Sequence, residues 1–212
     1  RILASNLKIN FKVIPIQDIN KIFLDELSVV FDETEPGLAE ENLQARIRGS
    51  ILMSIANKKN ALVLSTSNKT ELALGYCTLY GDMCGSLAVI NDLNKSQVYS
   101  LSNWINSNSN YEIIPSGTLT KPPSAELRHN QTDPFDYEVV SPLVDSIIDE
   151  SIYFDKSIKS SYDPSLVSDM ILMVKNSEYK RKQAAPGIRI SKKAFGIGRR
   201  FPIVNRYNKC QK

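Results

Sequence analysis

Ala61-Leu62-Val63-Leu64 is an unbroken apolar run of four residues, followed at once by Ser65-Thr66-Ser67-Asn68 and a helical pattern over 70–76. A run that short and that apolar reads as a strand buried on both faces, the kind found in parallel sheets flanked by helices. A strand, a polar turn and a helix start aim backbone N–H groups at a ligand. Open α/β sheets bind ligands in such crevices beyond their strand C-termini. The alternation recurs along the chain. Residues 12–16 read as a short buried strand with Val13 and Ile14 ahead of Pro15, and 18–31 as a helix with Ile19, Phe23, Leu24, Leu27 and Val30 on one face. Residues 32–37 form an acidic loop ended by Pro-Gly, 87–90 another apolar strand, and 96–106 a helix with Val98, Leu101 and Ile105 inward. The expected class is α/β with a mainly parallel sheet and helices dominating the last third.

The strongest helix signal covers 40–58. Leu43, Ile47, Ile51 and Ile55 make one stripe, Glu40 and Glu41 open it, and Lys58 and Lys59 close it, as the helix dipole favours. Arg46 and Arg48 fall on opposite flanks of that stripe, where solvated charges are ordinary. Asp163-Pro164 is an N-cap and first-turn pair ahead of Val167, Met170, Ile171 and Val174 at core spacing. Pro122-Pro123 holds residues 120–127 extended.

Charge divides the chain. Residues 175–212 carry twelve Lys or Arg and one acid, Glu178, whereas residues 1–174 carry fourteen bases and twenty-two acids. A basic tail beside an acidic body can bind phosphates, nucleic acid or that body. Pro186, Phe195, Phe201 and Pro202 within it predict that part of it packs. With 42% hydrophobic and 23% charged residues the chain is not disordered, and its 212 residues make one large or two small domains. It has no apolar stretch of membrane-spanning length and no secretory leader pattern. It begins with Arg1 rather than Met, so a piece of a longer protein is expected.

Cys77, Cys84 and Cys210 are an odd number without metal-finger spacing, which predicts a reducing, cytoplasmic setting. A single histidine, His129, excludes a histidine metal cluster and leaves a Ser-His-Asp triad a poor fit. Gly85-Ser86 and Gly196-Ile197-Gly198 are too sparse for a phosphate loop, and the second follows no strand. What remains is a set of polar groups at strand ends: Thr66, Glu71, Asp82, Lys95 and Ser124.

Longer motifs sharpen this. Glu41-Asn42-Leu43-Gln44-Ala45-Arg46-Ile47-Arg48-Gly49, Asn68-Lys69-Thr70-Glu71 and Leu79-Tyr80-Gly81-Asp82 come first. Thr120-Lys121-Pro122-Pro123-Ser124-Ala125-Glu126-Leu127-Arg128, Gln131-Thr132-Asp133, Asn176-Ser177-Glu178-Tyr179-Lys180-Arg181 and Arg200-Phe201-Pro202-Ile203-Val204-Asn205-Arg206-Tyr207 follow. In that order, through nearly the whole chain, they resemble the synthetase domain of the NAD synthetase family, in its glutamine-dependent branch.

The resemblance implies a Rossmann-like parallel sheet of the adenine nucleotide alpha-hydrolase type, truncated at its N-terminus, with residues 1–130 as the α/β part and 131–212 as a helical, basic C-terminal part. It implies a homodimer and a two-step ligase reaction. ATP adenylates the nicotinate carboxylate of deamido-NAD, releasing pyrophosphate, and ammonia, drawn from glutamine in the parent enzyme, displaces AMP to give NAD. Mg²⁺ and cations would offset charge on the phosphates. By the same resemblance Arg48, Thr66, Lys95 and Ser124 contact ATP, and Asn42, Arg46, Glu71 and Lys180 contact deamido-NAD. Glu71 also holds the metal, and Asp82 and Lys95 are catalytic, Asp82 at the ammonia site.

The chain departs from the family pattern in places. The phosphate-binding Ser-Gly-Gly-x-Asp-Ser loop does not occur in these residues, so the isolated chain is expected to be inactive. Leu79, Ser86 and Tyr179 stand where ammonia-dependent members carry Lys, Asp and His, which suits the glutamine-dependent branch. Two rival readings stay open: a basic-tailed nucleic-acid binder and an inactive remnant.

Overall fold

Local signals place the helices in the computed structural model, which describes every residue except 32, 33, 129, 197 and 205–212. His129, Ile197, Cys210, the start of the 32–37 loop and the Asn205-Arg206-Tyr207 end of the last motif therefore lie outside the described residues. The elements begin with α1 (Ile2–Asn6), α2 (Gln17–Phe31), α3 (Leu38–Lys59), β1 (Leu64–Ser65), α4 (Lys69–Leu74), β2 (Leu87–Ala88) and α5 (Lys95–Ser107). They continue with α6 (Ser116–Thr120), α7 (Tyr137–Ile148), α8 (Ser151–Phe154), α9 (Lys156–Ser160), α10 (Pro164–Asn176) and α11 (Glu178–Arg181). None of these helices is long and apolar enough to cross a membrane.

The cap chemistry is readable residue by residue. Asn68, Asn94, Asp136 and Asp163 each accept backbone N–H bonds at the starts of α4, α5, α7 and α10. The Glu40 carboxylate takes the Gly37 N–H at 2.6 Å to open α3, and Asn60 ends it in the left-handed region.

The core lies where α4, α7, α8 and α10 meet. Leu143, Val144, Ile147 and Ile148 of α7 are fully buried against Val167, Met170, Ile171 and Val174 of α10, the four positions whose spacing predicted them. Phe201 of the tail closes this core.

The sheet is smaller than the apolar runs imply. β1 pairs with β2 in parallel, Leu64 opposite Leu87 and Ser65 opposite Ala88. The tail adds an isolated parallel bridge from Gly187 to Ala88, with the Ala88 N–H donating to the Pro186 carbonyl. Two expectations are corrected here. Residues 12–16 form no strand, and Val13 is 62% exposed. The 61–64 run supplies only the start of a strand, and Leu62 and Leu64 are 75% and 54% exposed. A parallel strand is buried by helices on both faces and neighbours on both sides, and among the described residues β1 has β2 alone.

Helical stripes are also only partly covered. The helix predicted over 18–31 is α2, but none of its residues is buried. In α3 the stripe is buried at Leu43 and Ile47 and exposed at Ile55, while Ala45, Gly49 and Ala56 are buried on a second face. Val98, Leu101 and Ile105 of α5 are at most half-buried.

Charges then lock the tail to the body. The buried Asp92 carboxylate accepts the N–H groups of Ile190 (2.8 Å) and Ser191 (2.6 Å) and the Ser191 hydroxyl (2.7 Å). Buried Lys69 lies 2.8 Å from Asp145 and 3.5 Å from Asp92. Burial opposes ionisation of Asp92, but the bonds from Ser191 and Ile190 and the Lys69 charge outweigh it and hold the carboxyl below its usual range. A depressed folded value stabilises the fold above the unfolded pKa of about 4 and loses that contribution as pH falls through the folded value. Thermal unfolding followed from pH 6 downward is therefore expected to show Asp92→Asn less stable by about 1.5–3 kcal/mol near neutrality, with the gap to the native chain closing in acid. Parallel curves would show that Asp92 does not anchor the tail.

Candidate functional site

α3 packs unusually close to the 78–84 loop because three small residues meet there. A Cβ on Gly49 would lie 2.8 Å from the Tyr80 carbonyl, and one on Gly81 would lie 2.9 Å from the Ala45 Cβ. That approach forms one wall of a cavity of about 750 Å³, in the range of small-molecule and cofactor sites. α3 contributes Asn42 and Arg48, the β1–α4 turn Thr66, the loop after α4 Asp82, and α11 Lys180. Ala125, Leu127, Arg128, Gln131, Thr132 and Pro134 close the far side, held to α3 by Gln44, whose amide donates to the Leu127 carbonyl at 3.1 Å, and by the Glu41–Arg128 ion pair.

Within this cavity the Thr78 hydroxyl donates to the Asn42 side-chain oxygen at 2.5 Å, fixing the amide. The Thr78 N–H donates to the Asp82 Oδ1 at 2.6 Å. Desolvation by the crowded walls raises the Asp82 carboxyl above its ordinary range despite the Thr78 bond and the nearby Lys180 charge. Burial pushes the neighbouring Cys77 thiol up to about 12, so Cys77 is not a thiolate nucleophile at neutral pH.

Lys180 reaches the cavity from 105 residues away in sequence. Its Nζ donates to the Gly75 and Cys77 carbonyls, both at 2.7 Å. An ammonium has three donors, so one remains for a ligand. Gly75, in the left-handed region, ends α4, and a Cβ there would fall 2.1 Å from the Ser177 Oγ. That contact seats α11 against α4.

Of the predicted site residues, Asn42, Arg48, Thr66, Asp82 and Lys180 are brought together, and Arg46, Glu71, Lys95 and Ser124 do not line the cavity. Arg46 is exposed and donates to the Leu79 carbonyl at 3.3 Å. Glu71 accepts the Asn68 N–H at 3.0 Å and pairs with Lys95 at 2.9 Å, and Lys95 also lies 5.3 Å from the centroid of the Tyr137 ring. The Ser124 hydroxyl accepts the Glu126 N–H. The Glu71 and Lys69 N–H groups at the start of α4 are not free for a ligand. Asn68 caps the Glu71 N–H, and the Lys69 N–H donates to the Leu93 carbonyl.

Among the described residues no three His, Cys, Asp or Glu side chains converge on a common point. Both Glu71 oxygens have partners. The described residues thus form no all-protein metal cage, whereas a Mg²⁺ held mainly by nucleotide phosphates and water needs only one or two carboxylates.

Sequence reading missed Glu41, Thr78, Arg128 and Gln131 as site residues, although all but Thr78 stand inside the quoted motifs. The signal for Thr78 is its position four residues before Asp82, the reach of a turn that bonds back to its own carboxylate.

A family model described as NAD synthase matches residues 1–184. The glutamine-dependent NAD(+) synthetase of Thermotoga maritima is 47% identical over 208 residues, covering 97% of this chain and 36% of its own length. The structure of a glutamine-dependent NAD+ synthetase from Acinetobacter baumannii in complex with ADP matches 96% of this chain and 36% of that chain, with 38% identity and a TM-score of 0.56. The crystal structure of a glutamine-dependent NAD(+) synthetase from Cytophaga hutchinsonii, at 22% identity, covers 97% of this chain and 36% of that chain with a TM-score of 0.78. Together these likenesses carry the fold: a helix-rich part of a Rossmann-like domain with a small parallel sheet. The chain spans about a third of the length of the curated relatives it matches.

Proposed function

The chain belongs to the NAD synthase family, and from that premise we propose that its cavity is part of the site of an ATP-dependent ligase converting deamido-NAD to NAD. The observation that carries this reading is the convergence of Asn42, Arg48, Thr66, Asp82 and Lys180, from four separate segments, on one cavity. A carboxylate is a poor acyl donor until its oxygen becomes part of a phosphate leaving group, so ATP first adenylates the nicotinate carboxylate and pyrophosphate leaves. Arg48 and Thr66 hold the adenosine nucleotide, while Asn42 and the free donor of Lys180 hold deamido-NAD. Asp82, with its raised proton affinity, holds ammonium and accepts its proton as ammonia attacks the acyl-adenylate and AMP departs.

Lys95 and Ser124, for the ATP phosphates, and Arg46 and Glu71, for deamido-NAD, complete the proposed set from outside the cavity wall. Their engagement requires the Glu71–Lys95 pair to open toward the ligand. Glutamine-derived ammonia, Mg²⁺ carried on the nucleotide phosphates and a cytoplasmic setting complete the reading. A homodimer fits the exposed apolar side chains of α2, such as Phe23 and Val30. The tail supports a small-molecule role over nucleic acid because three of its cations are folded inward: Lys193 and Arg199 pair with Glu150 at 2.9 Å each, and Arg181 is buried.

The test is calorimetry with deamido-NAD and ATP separately. Lys180→Ala is expected to weaken deamido-NAD binding by about 1.5–3 kcal/mol, to leave ATP binding nearly unchanged, and to loosen the Gly75–Cys77 turn. Lys180→Arg keeps the charge and is expected to bind better than the alanine variant. Unchanged deamido-NAD affinity in a folded Lys180→Ala protein rejects the assignment. Salt-steep RNA binding lost in the same variant moves the weight to nucleic acid.

A further inference from the structure

A second cavity, of about 570 Å³, lies beneath the basic tail and shares no lining residue with the first. α11 and its end divide the two: Lys180 faces the first, Arg181 and Lys182 the second. Four cations, Arg181, Lys182, Arg189 and Arg200, face one carboxylate, Glu178, across it. Arg181 and Glu178 satisfy each other at 3.0 Å, so the remaining three charges are uncompensated within the cavity.

Two of those three are held in place by the tail itself. Arg189 Nε donates to the Ser191 carbonyl at 3.1 Å, and Arg200 Nε to the Gly196 carbonyl at 2.7 Å. The terminal nitrogens of Arg200 and the ammonium of Lys182 have no partner among the described residues. A guanidinium fork anchored through its Nε and an ammonium lining the same cavity suit a phosphate group. Apart from Asn91 the rest of the wall is apolar, with Ile188 and Phe195 among it, and Gly196 leaves open space where a side chain would stand.

We infer that this cavity is a second ligand site, taking a small molecule with one phosphate group and an apolar ring, of the nucleoside monophosphate class. Lys182 and Arg200 hold the phosphate, and the ring lies along the apolar wall. The site is independent of the function proposed for the first cavity.

The experiment is an NMR titration of the 212-residue chain with AMP, with inorganic phosphate and with pyrophosphate, following the amides of Gly187, Gly196 and Gly198. AMP is expected to shift them saturably. Lys182→Gln, an exposed change that leaves the fold intact, is expected to weaken binding about tenfold, the loss of one charged hydrogen bond, and Lys182→Gln with Arg200→Gln to weaken it further. Arg48→Ala, in the first cavity, is expected to leave these shifts unchanged. No saturable shift, shifts insensitive to Lys182→Gln, or loss in Arg48→Ala overturns the second site. Phosphate or pyrophosphate binding as tightly as AMP overturns the nucleoside assignment.

Discussion

Arg181→Ala is expected to destabilise the chain by about 3–5 kcal/mol, lowering the unfolding midpoint by roughly 6–20 °C. The Arg181 side chain is only 3% exposed. Its Nε donates to Glu178 at 3.0 Å, its Nη1 to the carbonyls of Leu72 (3.1 Å) and Ala73 (2.8 Å), and its Nη2 to the carbonyl of Val174. Those are last-turn carbonyls of α4 and α10, which have no partner within their own helices. The guanidinium also lies 4.6 Å from the Phe195 ring centroid and 5.5 Å from that of Phe201, tying the tail to the same point. Truncation leaves a buried Glu178 carboxylate and three carbonyls unpaired at once. Arg181→Lys is expected to recover little, because an ammonium cannot match the planar fork. Replacing both charges, Arg181→Met with Glu178→Leu, removes the unpaired carboxylate and is expected to be milder than Arg181→Ala. Denaturant unfolding of the four proteins checks this, and a cost below about 1 kcal/mol for Arg181→Ala would show that the guanidinium is not the shared cap.

In the ligase reading, Asp82→Asn is expected to slow NAD formation by about 10²–10⁴-fold while leaving the release of pyrophosphate in a single turnover largely intact. An amide has the size of the carboxylate but accepts no proton from ammonium. It can still accept the Thr78 N–H that bonds the carboxylate at 2.6 Å, so the loop stays folded. The pH profile is a second readout. Desolvation raises the Asp82 carboxyl, so the acid limb of the amide-forming step should lie above the ordinary Asp value, and it should vanish in the asparagine variant. Both steps are measured in the full-length parent enzyme, as pyrophosphate and as NAD. Equal loss in both would assign Asp82 to holding the cavity together instead.

Both predictions concern residues inside motifs that are plain in the sequence, yet their roles were unequally visible. The stripe Val167, Met170, Ile171 and Val174 behind Asp163-Pro164 marked a core helix, and it is one. Such a pattern is local: the period places four side chains on one face whatever that face meets. Asn68 and Asn94 cap α4 and α5, roles that composition leaves open, since an asparagine before a helical run can also be a plain turn. The apolar pattern misjudged residues 12–16, while α2 and the C-terminal half of α3 are the helices it marked, with an apolar pattern that little among the described residues covers. Periodicity says which face is apolar, not what buries it.

The sequence by itself determined α2, α3, α4, α5 and α10 with its Asp163-Pro164 start, the parallel βα character and the family to which the motifs belong. The tertiary structure alone decided which of the motif residues meet. Lys180 and Arg181 are neighbours in one motif, but a 100° turn about α11 sends one ammonium to the carbonyls of Gly75 and Cys77 at the cavity and one guanidinium to those of Leu72 and Ala73 in the core. Buried Lys69 and Asp92 and half-buried Asp145 join three segments, the outermost 76 residues apart. The close seat of Gly49 against Tyr80 depends on two backbones approaching from distant stretches. Each of these contacts is set by how helices pack across long loops, and no period or spacing along one segment encodes the distance to another.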